Sequence, residues 1–162
     1  MFKISTYIAA GFALATGAAA VPACADVVTR SVEVDATPQA VWALIGPFCA
    51  IKDWLPPVGT CTEDDKSPPT RTLVTKDGAT FVELQTERND AAHFYTYAFQ
   101  SSPLPVTHYT STIKVSARGD GKATVTWRGT YTASRGKQKD ASDALSGIYE
   151  AGLETIKLKF AR

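Results

Sequence analysis

The sequence predicts an α+β fold in which an antiparallel sheet closes over one long C-terminal helix. Three observations predict it. Segments that alternate apolar and polar residues recur from Val58 to Ala133, and turn-forming residues separate them. Lys139 to Phe160 is one long run with helical spacing. Two short helical segments stand between the first strand and the other six, so helices and strands are segregated rather than alternating.

The elements follow in order. Ahead of the first strand, Lys3 supplies a positive charge, Ile8 to Val21 is almost entirely apolar or small, and Ala23-Cys24-Ala25 offers small residues to a signal peptidase. Residues 1–25 are therefore expected to be a signal peptide cleaved between Ala25 and Asp26, placing the mature chain in the periplasm or outside the cell. The apolar run has about 14 residues where roughly 20 are needed to span a bilayer, so no transmembrane segment is expected in the mature protein. The alternative is a lipoprotein in which Cys24 is lipidated, although Pro22 fits that pattern poorly. Residues 26–162 are then expected to form a single domain, 137 residues of the 162-residue chain.

Val28 to Val34 alternates as a half-buried strand. Thr37 caps a helix with Pro38 in its first turn, Val41, Trp42, Leu44 and Ile45 on its apolar face, and Gly46-Pro47 as its stop. A second helical turn is expected around Phe48 to Trp54. Strands follow at Val58–Glu63, Thr70–Thr75, Thr80–Arg88, His93–Phe99, Tyr109–Ala117 and Ala123–Ala133. Asp77-Gly78, Asn89-Asp90 and Gly119-Asp120-Gly121 lie between strands and suit hairpin turns. The final helix carries Leu145, Ile148, Tyr149, Gly152, Leu153, Ile156 and Phe160 at helical spacing, with Lys157, Lys159 and Arg162 near its end, as the macrodipole favours.

Charge and composition exclude some classes of function. Lys and Arg number 17 against 16 Asp and Glu, and loss of Lys3 makes the mature chain formally neutral. With both signs interspersed there is no footprint for nucleic acid. No phosphate-binding glycine loop and no zinc-like spacing of Cys and His occurs, so no cofactor and no metal are expected. Cys49 and Cys61 bracket a short segment containing Trp54 and Pro56-Pro57, and in an oxidising compartment they are expected to form a disulfide. Two separately buried thiols are the alternative. Neither His93 nor His108 has an acidic partner at a spacing that announces a catalytic dyad, and Ser101-Ser102 lacks the setting of a nucleophile, so no catalytic residue is assigned.

The chain resembles a known family. Trp42-Ala43-Leu44-Ile45-Gly46-Pro47-Phe48-Cys49, Trp54-Leu55-Pro56, Val82-Glu83-Leu84, Tyr95-Thr96-Tyr97, Ser102-Pro103-Leu104-Pro105-Val106, Thr126-Trp127 and Gly147-Ile148-Tyr149-Glu150-Ala151-Gly152-Leu153 carry the likeness. Together they resemble the exported bacterial polyketide cyclase/dehydrase and lipid-transport-like proteins of the START/Bet v 1 superfamily (SRPBCC). The resemblance spans essentially the whole mature chain. It implies a helix-grip fold, a curved sheet around the long helix, with a cavity between them for a hydrophobic or amphipathic small molecule.

Parity points to the same face independently. Tyr109, Ser111, Ile113 and Val115 share one side of their strand, as do Val125, Trp127, Gly129 and Tyr131 on the next, while Phe81, Glu83 and Gln85 match Tyr95, Tyr97 and Phe99. Trp54, Phe81, Glu83, Tyr95, Tyr97, Phe99, Tyr109, Ser111, Ile113, Trp127, Tyr131, Tyr149 and Leu153 are accordingly the expected ligand-binding residues. Plain core packing is the competing reading for the aromatic members. Gly129 is expected to leave space on this face that a larger residue would fill.

Glu83 stands out, because an inward carboxylate is costly to bury unpaired. It is expected to be solvated by a cavity, bonded to Tyr97, Tyr109 or Ser111, or paired with a ligand. Positions matching Glu83, Tyr97, Tyr109 and Ser111 face the ligand in the similar plant hormone receptors. Lys76-Asp77-Gly78-Ala79 departs from their gate, and Leu55 stands where relatives often carry His. The expected function is non-catalytic binding or transport of a small hydrophobic ligand. A cofactor-independent cyclase, isomerase or dehydratase using Glu83 and an accessory protein for a periplasmic dehydrogenase are the alternatives.

Overall fold

The computed structural model describes residues 25–161, so the expected signal peptide, Cys24 included, lies outside the described residues except for Ala25. The elements are β1 (Asp26–Val34), α1 (Pro38–Ile45), a 3-10 turn (Phe48–Ala50) running into α2 (Ile51–Trp54), β2 (Val58–Glu63), β3 (Thr70–Thr75), β4 (Thr80–Asn89), β5 (Phe94–Ser101), β6 (Val106–Ala117), β7 (Ala123–Ala133) and α3 (Gln138–Lys159). The strands form one seven-stranded sheet in the order β1-β7-β6-β5-β4-β3-β2, and every neighbouring pair is antiparallel. Five of the six pairings are sequential hairpins. The sixth returns the first strand beside the last, so the short helices must cross from one edge to the other.

Local chemistry sets the boundaries. The Thr37 side chain accepts a hydrogen bond from the Ala40 amide at 3.2 Å, and Gly46 donates to the Trp42 carbonyl at 2.7 Å, closing α1 as expected. The β3–β4 turn places Gly78 at φ 91°, where a side chain would be strained. β1 begins two residues before the expected Val28, and the starts of β5 and β6 differ from the expectation for one shared reason. His93 and His108 both adopt φ 52°. His93 therefore belongs to the turn and β5 begins at Phe94, whereas His108 sits in a bulge between Thr107 and Thr110, beyond which β6 extends back to Val106.

The helix α3 turns Ala141, Leu145, Tyr149, Gly152, Leu153 and Ile156 toward the sheet. Gly152 sets how closely it approaches. A Cβ there would lie 3.0 Å from the Trp127 ring and 3.1 Å from both Leu55 and Trp54, so only glycine lets the helix settle on the Trp54–Trp127 pair without displacing them. Those two indoles meet edge to face with centroids 5.4 Å apart. The register Ser111↔Gly129, Ile113↔Trp127 and Val115↔Val125 puts the odd residues of β6 and β7 on one buried face, as their parity predicted.

A disulfide joins Cys49, in the 3-10 turn, to Cys61 on β2, with Cα atoms 5.5 Å apart. It straps α2 and the Pro56-Pro57 corner against the edge of the sheet. No described helix is long and apolar enough to cross a membrane.

Candidate functional site

The concave face of the sheet carries its aromatic residues at successive register positions, and their hydroxyls are linked. Trp127 Nε1 donates to Tyr97 Oη at 3.1 Å, Tyr97 and Tyr109 meet at 3.3 Å, Tyr109 and Tyr149 at 2.6 Å, and Tyr149 and Ser111 at 2.7 Å. Ser111 Oγ donates to the Arg128 carbonyl at 3.1 Å. Each hydroxyl has one proton, so this last bond fixes the rest. With the Ser111 proton on Arg128, Tyr149 must donate to Ser111, Tyr109 to Tyr149, and Tyr97 to Tyr109. Burial pushes the phenols of Tyr97, Tyr109 and Tyr149 up, those of Tyr97 and Tyr109 furthest. They are neutral donors at any physiological pH.

Gly129 faces no open space, contrary to the expectation. A Cβ there would collide with the Tyr149 hydroxyl. The missing side chain admits the end of Tyr149, whose ring stacks on Trp127 at 4.2 Å and 3°. The aromatic face beneath α3 is thus largely filled by its own side chains.

The compensating charge for Glu83 is Arg71 on β3, which none of the expected partners included. The two residues stand opposite each other in the β3–β4 ladder. Arg71 Nε and Nη2 each lie 2.6 Å from Glu83 Oε2, Nη1 donates to the Phe48 carbonyl, and the guanidinium sits 4.0 Å over the Phe48 ring and 5.0 Å from that of Tyr97. Arg71 is fully buried and Glu83 is 3 % exposed. Burial acts against the charge on Arg71, but the Glu83 carboxylate, together with the Tyr95 and Tyr97 phenols, outweighs it and holds the guanidinium protonated. Burial likewise pushes the Glu83 carboxyl up, and Arg71 offsets part of that push. Arg71 shares its side of β3 with the buried Leu73, so parity, together with the need of Glu83 for a cation, was the signal that could have found it.

Between this face, α2, α3 and the Pro57 corner is a cavity of about 50 Å³. Its wall contains six of the expected residues, Phe81, Glu83, Tyr97, Phe99, Tyr109 and Trp127. The other seven, Trp54, Tyr95, Ser111, Ile113, Tyr131, Tyr149 and Leu153, are buried in the surrounding core and do not form the wall. Sequence reasoning left out Ile51, Leu55, Pro57, Val58, Leu73, Thr75, Leu145 and Ile148, which complete it. Four of these, Ile51, Leu55, Pro57 and Val58, lie on the segment enclosed by the Cys49–Cys61 bridge. His93 and His108 do not reach the wall, and among the described residues no group of three or more metal-ligating side chains could hold an ion.

Comparison with known proteins agrees with this architecture. XoxI from Bacillus cereus is similar at 34 % identity and a TM-score of 0.79, over 83 % of this chain and 94 % of that one. The Zhui aromatase/cyclase of Streptomyces sp. R1128 shares the fold at 14 % identity and a TM-score of 0.69, over 84 % of this chain and 93 % of that one. Norcoclaurine synthase from Thalictrum flavum shares it at 16 % identity and a TM-score of 0.71, over 88 % and 98 %. No curated protein sequence matches the chain. The sequence pattern described as polyketide cyclase / dehydrase and lipid transport matches residues 25–161, the whole of the sheet and the helix it grips, and the chain belongs to that family.

Proposed function

We propose that the protein binds a small hydrophobic or amphipathic molecule between the sheet and α3 without converting it. The observation that carries this reading is the cavity itself, enclosed by apolar side chains of α2, α3 and the sheet, with one ionised residue, Glu83, in its wall. An apolar cavity of about 150 Å³ takes benzene. The space of about 50 Å³ therefore admits only a few heavy atoms as it stands, and a larger ligand enters by displacing the α2–Pro57 segment or the first turns of α3. Glu83 is held by Arg71 at 2.6 Å, which weighs against its serving as a catalytic base, since abstracting a proton would uncouple the ion pair.

The reading includes location. A mature domain over residues 26–162, released from its leader outside the cytoplasm, accords with the Cys49–Cys61 bridge. Titration with toluene, followed by amide chemical shifts, tests the binding. Shifts should concentrate on Ile51, Leu55, Phe81, Leu145 and Ile148, and Ile148→Phe, which fills the wall from α3, should abolish them. Toluene that leaves these residues unmoved, or that binds a folded Ile148→Phe unchanged, would rule the cavity out as the site.

A further inference from the structure

We infer that the cavity selects ligands that carry a hydrogen-bond donor, a hydroxyl or an amine on an apolar frame, over ligands whose polar groups only accept. This rests on the binding reading above and follows from where each polar hydrogen of the wall is committed. Five wall residues carry a polar side-chain group: Thr75, Glu83, Tyr97, Tyr109 and Trp127. Trp127 Nε1 donates to Tyr97. The single protons of Tyr97 and Tyr109 run to Tyr109 and Tyr149, because the chain of hydroxyls is anchored by Ser111 on the Arg128 carbonyl. Thr75 Oγ1 faces the Asp77 carboxylate and the Ala79 carbonyl, both acceptors, so its proton is committed as well. Glu83, opposite a guanidinium, is a carboxylate and has no proton to give.

The wall therefore offers acceptors and no free donor. Three buried donors lack a hydrogen-bond partner among the described residues: Trp54 Nε1, Gln85 Nε2, and Arg71 Nη2, which lies against Glu83 without aligning on it. All three belong to residues outside the wall. A ligand carbonyl or carboxylate entering the cavity would leave water and meet lone pairs only. A ligand O–H or N–H would meet the Glu83 carboxylate, and a hydrogen bond to a charged group is among the stronger ones.

Cyclohexanol and cyclohexanone test this, since they share a ring and differ little in volume, and only the alcohol donates. With the full chain as the producing host delivers it, cyclohexanol should bind about tenfold more tightly than cyclohexanone, as expected for one buried charge-assisted hydrogen bond. Equal or tighter binding of the ketone, while toluene still binds, overturns the donor rule and leaves the binding reading intact. Failure of toluene and both cyclohexyl compounds overturns the binding reading, and the donor rule with it. A second arm moves the donor into the wall. Glu83→Gln combined with Arg71→Gln supplies an amide N–H without stranding a buried cation, and in a variant that retains the parent circular dichroism the preference should fall toward unity. A preference unchanged in that folded variant shows that Glu83 is not its source and overturns the assignment.

Discussion

The Arg71–Glu83 pair allows burial and distance to be separated as determinants of an ion pair's worth. Arg30 and Glu150, which join β1 to α3, lie 2.6 Å apart, the same separation as Arg71 and Glu83. Their side chains are 38 % and 60 % exposed, against 0 % and 5 % for the buried pair. Glu83→Leu would leave a guanidinium in the core with the Phe48 carbonyl and ring as neighbours and no counter-charge, which costs about 3–5 kcal/mol. At roughly 3 °C per kcal/mol for a chain of this size, the melting temperature should fall by about 10–15 °C. Arg30→Ala removes an equally short contact and should cost at most about 1 kcal/mol, because water already solvates both partners. Arg71→Met combined with Glu83→Leu should recover most of the loss, since an apolar pair of similar volume avoids desolvating two charges.

Urea unfolding followed by tryptophan fluorescence, with all four Arg71/Glu83 combinations, measures the coupling directly. A Glu83→Leu variant no less stable than Arg30→Ala, or a coupling energy under about 0.5 kcal/mol, would falsify the argument that burial makes this pair consequential.

Other outcomes follow from the same geometry. Gly129→Ala forces a methyl group against the Tyr149 hydroxyl and should cost about 1–3 kcal/mol in thermal or urea unfolding. Gly147→Ala, on the exposed side of α3 with nothing within 4 Å of the new Cβ, should instead stabilise by about 0.5–1 kcal/mol; a loss there would mean the helix face is misassigned. Tyr95, Tyr97, Tyr109 and Tyr149 all have phenols raised above their ordinary value, chiefly by burial. Their linkage leaves stability intact below the unfolded phenol value, about pH 10, and removes it as pH rises above that, because the unfolded chain then releases protons the folded chain retains. Absorbance at 295 nm from these four should rise together with loss of far-UV circular dichroism; their ionisation in a chain that keeps its fold would contradict the buried hydroxyl chain. Reduction of Cys49–Cys61, 12 residues apart, should lower stability by up to about 3 kcal/mol. Intact mass after alkylation should show two thiols only after reduction, on a chain beginning at Asp26, and retention of Met1 would refute export by cleavage.

The sequence alone determined what depends on neighbours along the chain. Period-two alternation placed the β6 and β7 side chains on their correct faces, Thr37 and Pro38 announced α1, and the spacing from Leu145 to Ile156 announced the buried side of α3, because backbone geometry forces these periodicities wherever one side must leave water. It also singled out Glu83 as a carboxylate that needed compensation. What compensates it is 12 residues away on the neighbouring strand, a register that only pairing of β3 with β4 creates. How full the aromatic face is was equally invisible along the chain. Gly129 reads as an opening in its strand, but α3 delivers the Tyr149 hydroxyl into it, and Gly152 lets the helix come close enough to press on Trp54 and Trp127. The cavity is what remains, and half of the wall that the sequence left out comes from Ile51, Leu55, Pro57 and Val58, residues whose spacing follows no period and which the Cys49–Cys61 bridge encloses. Local pattern settles which way a side chain faces, whereas the packing of one element on another settles what it meets there.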